Sequence, residues 1–597
     1  MRFRFLSLTL CAALVGGCAH RFPVRTGGDR EAVAGLPLSF GSPEVAVPEG
    51  TSVRWDFGDG STADGPVVAH VWARAGTYRL KMEVADPTGS RSAEASVQVA
   101  RRPPAAAVPP AANAAVIFDR FFARLPQHMA FAERLLGPDQ VRSALTDIEA
   151  VFGLDVTRPE LVLAAGLDPE EGLAIAWLPE DKGTWLAIGT HDERAALEAA
   201  RSALAKREQV TFTPGPSGST LAQVGAARLM FIARGGYLYV HLAGDEDAPP
   251  ALETVLTASD LGLYADPTFA QLRAQVAGDD GFVFARASVL PDHEAIKGEA
   301  ANLRSHTKAL AVGFSNRESE LLAQARVVFD AEGERSLATA FSHPARVDLE
   351  ARAPAGAVGY LSLSLGAEAL ASWLRGGDHA ELDRTLGEAA GLSLETIASL
   401  VSGGAAAAAW FDSTALLRSL SGDGDAAKLK LLSSLTLKDP PAARAKLDAA
   451  AQEGRLKPIS EGRWETVSAR DSAQAALVGD SAIFGDAGLL ERALANEPGA
   501  KRLGEALRAG VPPEALAPGH QLLWLDIATL VDQLRNPKVP PGADALDAPQ
   551  QAQLAMMVAA MVEAAPELRP LLPLRDAYLE AWQDGPALAV RARLRFR

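Results

Sequence analysis

The chain has 597 residues, with 58 Lys+Arg against 74 Asp+Glu and a formal charge of −16. That acidic balance excludes a nucleic-acid partner, whose phosphates require a basic face. With Gly 52 and Pro 38 the chain is neither collagenous nor wholly low-complexity, and its length suits about three or four domains.

The first residues read as an address. Arg2 and Arg4 precede an apolar stretch, Phe5 to Val15, which is too short to cross a bilayer needing roughly 20 apolar residues. It ends in Val15-Gly16-Gly17-Cys18. Both cysteines, Cys11 and Cys18, lie in this stretch, so no disulfide scaffold, cysteine zinc site or catalytic thiol is expected in the body. The pattern resembles the lipobox of bacterial lipoproteins. The resemblance implies a signal peptide over 1–17 and a mature chain that begins at Cys18, which carries diacylglycerol and an N-acyl group. No Asp follows Cys18, which by the same resemblance implies the outer membrane of the cell envelope. Losing Arg2 and Arg4 takes the charge to about −18, so the anchor is several acyl chains and not attraction to anionic headgroups. Residues 18–33 then read as a tether.

Short alternating runs with frequent turn residues predict an all-β, immunoglobulin-like sandwich over 34–100. Val53, Trp55 and Phe57 alternate inward, Gly58 and Gly60 permit a tight turn, and Asp56 and Asp59 are placed to accept loop amides. Further on come His70-Val71-Trp72, Gly76-Thr77-Tyr78 and Val84-Ala85-Asp86-Pro87-Thr88-Gly89, with Tyr78 expected to pack on Trp55. Together, Trp55-Asp56-Phe57-Gly58-Asp59-Gly60, His70, Trp72 and Gly76-Thr77-Tyr78 closely resemble the PKD (polycystic kidney disease) domain, with Trp72 where tyrosine is usual. The resemblance implies a spacer or a module for protein or carbohydrate contact, not catalysis. Asp56, Asp59 and Asp64 can also be read as Ca²⁺ ligands, but turn-stabilising aspartates explain them as well. No cofactor is expected beyond the covalent lipid.

Residues 101–114 are Pro/Ala-rich and predict an extended polyproline spacer of roughly 35–40 Å. The remaining body looks like two copies of one α+β unit, 115–347 and 348–597. Phe118–Leu125 parallels Tyr360–Ser364. Strand Thr184–Thr190 runs into an Asp192-capped helix, as Leu432–Lys438 runs into one capped by Asp439, an offset of 247. The hairpin at Tyr237 matches that at Ala482, an offset of 245. Gly281–Ala285 pairs in pattern with Gln521–Asp526, and both copies end on two strands. Each copy predicts a mostly antiparallel sheet with helices on one face. The last strand alternates Arg591, Arg593, Arg595 and Arg597 with apolar residues. It reads either as a solvated basic face or as a docking strip for an anionic partner.

No phosphate loop, dinucleotide fingerprint, H-E-x-x-H or G-x-S-x-G elbow is present. Ser217, the acidic turns 244–247, 278–281 and 422–425, and the pairs Glu170-Glu171 and Glu180-Asp181 carry weaker readings as nucleophile, Ca²⁺ ligands or glycosidase carboxylates. The function expected is non-enzymatic binding or scaffolding in the envelope. A carrier of lipid or another hydrophobic ligand, and a hydrolase with a PKD accessory domain, stand as alternatives.

Overall fold

The computed structural model describes residues 22–597 except 35–36, 42–46, 73–74, 180–182, 207–209, 216–217, 225–226, 244–260, 291–302, 318, 343, 346–347, 377–382, 385–391, 414–428, 468–472, 496–498 and 537–570, within which positions 553, 556, 557 and 560 are described. Two compact units divide the chain. The first comprises Met1–Ala112, Asp119–Ala123 and Glu149–Ala265, and the second Asn113–Phe118, Arg124–Ile148 and Asp266–Arg597. No helix among the described residues is long and apolar enough to cross a membrane.

The first unit opens on a β-sandwich. Its strands are β1 (Arg30–Val33), β2 (Pro37–Gly41), β3 (Ser52–Asp56), β4 (Thr62–Asp64), β5 (Val67–Val71), β6 (Gly76–Asp86) and β7 (Gly89–Ala100). One sheet runs β1-β7-β6-β3-β4, and β2-β5 forms the other. Strand β3 buries Val53 and Trp55 and exposes the residues between them, the period-two alternation that drives one sheet face into a core. The stretch read as a tether differs from that reading. Phe22 is buried in the sandwich core, and Arg30–Val33 already pairs in parallel with Val97–Ala100. An apolar ring and a free β7 edge recruit the chain before residue 34.

The Pro/Ala-rich segment is not an extended spacer. Pro104–Ala107 forms a 3₁₀ turn, and Val108 and Ala112 are fully buried. Trp185 Nε1 donates to Ala107 O at 2.9 Å, Tyr237 Oη donates to Arg102 O at 2.7 Å, and Arg102 Nη2 donates to Ala106 O at 2.7 Å. Small side chains let this backbone pack closely, and its carbonyls satisfy donors that would otherwise be buried unpaired.

Strand β8 (Ala114–Phe118) belongs to the second unit. Strands β9 (Leu173–Trp177), β10 (Thr184–Gly189), β11 (Val210–Pro214), β12 (Thr220–Val224), β13 (Ala227–Arg234) and β14 (Tyr237–Ala243) belong to the first. They pair antiparallel in the order β9-β10-β14-β13-β12-β11.

The second unit adds β15 (Gly281–Arg286), β16 (Thr307–Arg317), β17 (Glu320–Phe329), β18 (Gly359–Ser364), β19 (Val401–Phe411), β20 (Leu429–Leu437), β21 (Leu456–Ser460), β22 (Arg463–Thr466), β23 (Ala473–Val478), β24 (Ser481–Asp486), β25 (His520–Leu525), β26 (Leu574–Asp584) and β27 (Ala587–Phe596). Every pairing is antiparallel, in the order β8-β15-β16-β17-β27-β26-β25-β18-β19-β20-β24-β23-β22-β21.

The same strand order therefore occurs twice. The run β9-β10-β14-β13-β12-β11 recurs as β19-β20-β24-β23-β22-β21, and β8-β15-β16-β17 recurs as β18-β25-β26-β27. Asp192 caps its helix by accepting from Arg194 N and Ala195 N, and Asp439 caps the equivalent helix by accepting from Ala442 N. Turn registers Arg234↔Tyr237 and Val478↔Ser481 make Ser481, not Ala482, the counterpart of Tyr237. The counterpart of β18 is Ala114–Phe118, because Phe121–Leu136 is helical; the match of Phe118–Leu125 to Tyr360–Ser364 is thereby corrected. Equivalent strands β17 and β27 pair antiparallel around Gln324↔Arg591, a local two-fold that joins them edge to edge.

Helices cover both faces of the sheet in the second copy, not one. Tyr360, Ala408, Leu432, Leu522 and Trp524 face a core closed by helices Leu349–Arg352, Ala487–Leu494 and Leu503–Gly510. Leu363, Ala405 and Leu435, of opposite parity, pack on helices Ala367–Gly376 and Leu394–Leu400. Strands such as Val401–Phe411 are apolar at both parities, as burial on two sides requires.

Candidate functional site

The sandwich motif residues make a self-contained structural unit. Trp55 and Trp72 are fully buried, and each indole N–H is satisfied, by Gly65 O at 3.0 Å and Phe57 O at 3.1 Å. Asp56 accepts from Gly58 N at 2.9 Å, and Asp59 from Ser61 N at 3.0 Å and from His70 Nε2 at 2.8 Å. His70 in turn stacks on Phe57 with ring centroids 4.0 Å apart. Gly58 has φ +78°, and a Cβ there would meet the Arg79 backbone at 2.7 Å, so glycine is required. Gly60 sits in the same turn, while Gly76 and Thr77 begin β6. Tyr78 packs against the core cluster that includes Trp55 and Trp72, with its ring 5.9 Å from that of Trp72. Burial raises the Asp59 pKa, but hydrogen bonds from Ser61 and His70 outweigh it and hold the carboxyl below its ordinary value. The carboxylates of Asp56 and Asp59 are thus engaged by the turn. Among the described residues no group of three or more His, Cys, Asp or Glu could hold a metal.

Of the other residues singled out, Cys18, Ser217, Glu180, Asp181 and the acidic turns 244–247 and 422–425 lie outside the described residues. In the turn at 278–281, Asp280 is buried, accepts from Asn316 N and faces Arg124 at 3.4 Å, while Ser315 Oγ accepts from Asp279 N. Glu170 and Glu171 engage different arginines, Arg120 and Arg101. The arginine row of β27 is spent within the second unit. Arg591 faces Glu514 at 3.2 Å, Arg593 lies over the Tyr578 ring at 4.8 Å, Arg595 pairs with Asp576 at 2.6 Å, and Arg597 donates to Ala528 O at 3.0 Å. It is neither a solvated face nor an open docking strip, because helix ends and β26 carboxylates pack on it.

Glu171 lines a polar cavity of about 260 Å³ in the first unit, with Arg101, Asp168, Thr190, His191 and Tyr237. Burial raises its carboxyl from 4.5 to about 7, and Arg101 at 3.7 Å offsets this only in part. A raised acid pKa means that the fold disfavours the charged form. The group therefore costs nothing below pH 4.5, and its cost grows as pH rises toward 7. Glu171→Gln is expected to leave stability unchanged near pH ~4 and to raise it near pH ~8 by roughly 3 kcal/mol at most. Chemical denaturation at both pH values checks this; equal differences at the two would refute it.

The feature that the sequence did not announce lies on the second unit's sheet. By register, Leu579, Leu523, Leu361 and Ala407 stand side by side across β26, β25, β18 and β19. The next row carries Ala577, Leu525, Gly359, Ala409 and Leu431. Leu579 is 45% exposed, Leu523 39%, Leu361 42%, Leu525 40% and Leu431 49%, which leaves an apolar floor open to solvent. Toward one end, helix Ile527–Arg535 with Phe131 and Leu135 packs on Leu574, Ala577 and Leu594. On the same face toward the other end, helices Ala367–Gly376 and Leu394–Leu400 pack on Leu363, Ala405 and Leu435. The face continues into a cavity of about 220 Å³ beside helix Pro440–Gln452, with walls that include Leu435, Leu437, Leu447, Trp464, Ala475 and Phe484. The signal for it in the sequence was weak. Runs such as Gln521-Leu-Leu-Trp-Leu525 are apolar at both parities, but only the placement of helices shows which parity stays uncovered.

Residues 22–100 match the PKD domain family model. They are a PKD domain. Polycystin-1 of Homo sapiens is 39% identical over 70 residues, 11% of this chain and 2% of that protein, so the chain spans only a small part of that relative. Among solved structures, the PKD1 domain of Vibrio anguillarum Epp is similar at 23% identity and TM-score 0.10, covering 14% of this chain and 92% of its own. Crystal form III of TP0453 covers 42% of this chain and 90% of its own, at 10% identity and TM-score 0.25. The chain thus couples a PKD domain to a large duplicated α+β body.

Proposed function

We propose that this protein is a lipoprotein of the bacterial cell envelope, held at the outer membrane by acyl chains on Cys18, whose body binds the hydrocarbon part of a lipid. The observation that carries the binding role is the row Leu579–Leu523–Leu361, exposed on a sheet face that leads into an apolar cavity. Fully burying one leucine is worth ~1.5–3 kcal/mol, so leaving several open on one face costs the free protein and favours an apolar ligand. This supports the hydrophobic-ligand reading over a purely polar scaffold. The PKD domain contributes contact with a protein or carbohydrate of the envelope.

Two measurements test this reading. Metabolic labelling with radioactive palmitate is expected to mark the wild-type chain and not Cys18→Ser; equal labelling would remove the anchor. Organic extraction of the purified unacylated chain, followed by mass spectrometry, is expected to release about one lipid per molecule. A chain that emerges empty and binds no added fatty acid would overturn the carrier role.

A further inference from the structure

We infer that the 220 Å³ cavity of the second copy holds the acyl chain of an anionic lipid, with Lys446 on its head group. This rests on the carrier reading and adds to it a single copy, a single cavity and a charge.

The first argument is the difference between the copies. With Tyr237 equivalent to Ser481, the sheet positions Ala473, Ala475 and Ala482 that line the cavity correspond to Leu229, Phe231 and Leu238. In the first copy Phe231 is 1% exposed, Leu238 is buried, and Phe231 packs against Phe212 at 6.4 Å. At these three positions the first copy therefore carries larger side chains than the second, two of them buried. Three small residues at these positions leave a void whose lining atoms lack partners, which costs stability unless something occupies it. A cavity of that size whose walls are mostly hydrocarbon favours apolar guests.

The second argument is charge. Among the described residues that line the cavity Lys446 is the only ionisable one, on the exposed side of helix Pro440–Gln452. None of the described residues forms an ion pair with Lys446, whereas Arg444 on the same helix is paired with Glu461 and Asp448. A lone cation beside an otherwise apolar wall complements an amphiphile with one anionic group at the end of a hydrocarbon chain. A fatty-acid carboxylate and a lysophospholipid phosphate share that chemistry.

The test uses the full unacylated chain and three probes of equal chain length: oleate, oleoyl lysophosphatidylglycerol and uncharged oleyl alcohol. Wild-type is expected to bind both anions, and Lys446→Met to weaken them about tenfold while leaving oleyl alcohol unchanged. Preference for oleate assigns a free fatty acid as the source, and preference for the phosphate a phospholipid. The pair Ala475→Phe and Ala482→Leu, which installs the first copy's side chains, is expected to abolish binding of all three with the thermal transition retained or raised. If Lys446→Met weakens all probes equally or none, the head-group assignment fails. If the filled variant still binds, the cavity assignment fails and the carrier reading stands. If wild-type binds no probe, the carrier reading itself fails.

Discussion

Replacing Trp55 by alanine is expected to destabilise the PKD domain by ~3–5 kcal/mol, the range for removing a large aromatic from a packed core. The indole is fully buried, lies 5.7 Å from the Phe40 ring and spends its N–H on Gly65 O. Its loss opens a cavity among Phe40, Val53 and Met82 and leaves the Gly65 carbonyl without its donor. Small domains are stable by only about 5–15 kcal/mol, so most of this module's margin disappears. Trp55→Phe keeps the ring contact and loses the hydrogen bond, and a smaller loss of roughly 1–2 kcal/mol is expected. Limited proteolysis should then cut Trp55→Ala within 22–100 at temperatures where wild-type resists; identical cleavage would show that the ring is dispensable.

Removing Glu580 is expected to cost about as much, ~3–5 kcal/mol, by a different route. Its side chain is 0% exposed, accepts from His520 Nδ1 at 2.7 Å and faces Arg591 at 3.7 Å. His520 stacks on Trp582 at 5.5 Å, and Arg591 lies over the same ring at 5.3 Å. Glu580→Ala strips the buried acceptor shared by His520 and Arg591 and leaves Arg591 with Glu514 as its remaining carboxylate. Glu580→Gln keeps an oxygen for His520 and loses the charge, so a clearly smaller loss is expected. Urea denaturation of the two variants separates the effects, and equal losses would show that the carboxylate charge alone, and not the retained oxygen and packing, sets the cost. In the first copy the counterpart of His520 is Asp280, facing Arg124, so each copy solved this buried polar position with different residues.

Much of the PKD domain was legible in the sequence, because its information is local. Trp55, Phe57 and Trp72 announce a core by alternation, and Gly58 and Asp59 announce a turn by backbone geometry that neighbouring residues impose. The caps Asp192 and Asp439 were legible for the same reason: each satisfies amides two or three residues away. The repeated order of strands was visible as a near-constant spacing, although single-residue matches slipped where turns, not strands, set the register.

Three features were not legible, and each depends on residues far apart in the chain. The Pro/Ala-rich segment has the composition of a spacer, yet Trp185 and Tyr237, some eighty and more positions on, take its carbonyls and bury it. The β27 arginines look solvated in the chain, but Asp576 and Glu514 from other elements consume them. The open apolar sheet face was hidden for the deepest reason. Leu523 belongs to a strand apolar at both parities, and Leu361 alternates with Ser362 and Ser364, which are buried, so alternation carries either no signal about exposure or the wrong one. By itself, then, the sequence determined the sandwich motif, the helix starts and the duplicated strand order, all set by neighbours or by regular spacing. Which sheet face stays open, and where the second copy's cavity lies, was decided only when helices distant in the chain packed on the sheet, because burial belongs to the assembled surface and not to any stretch of it.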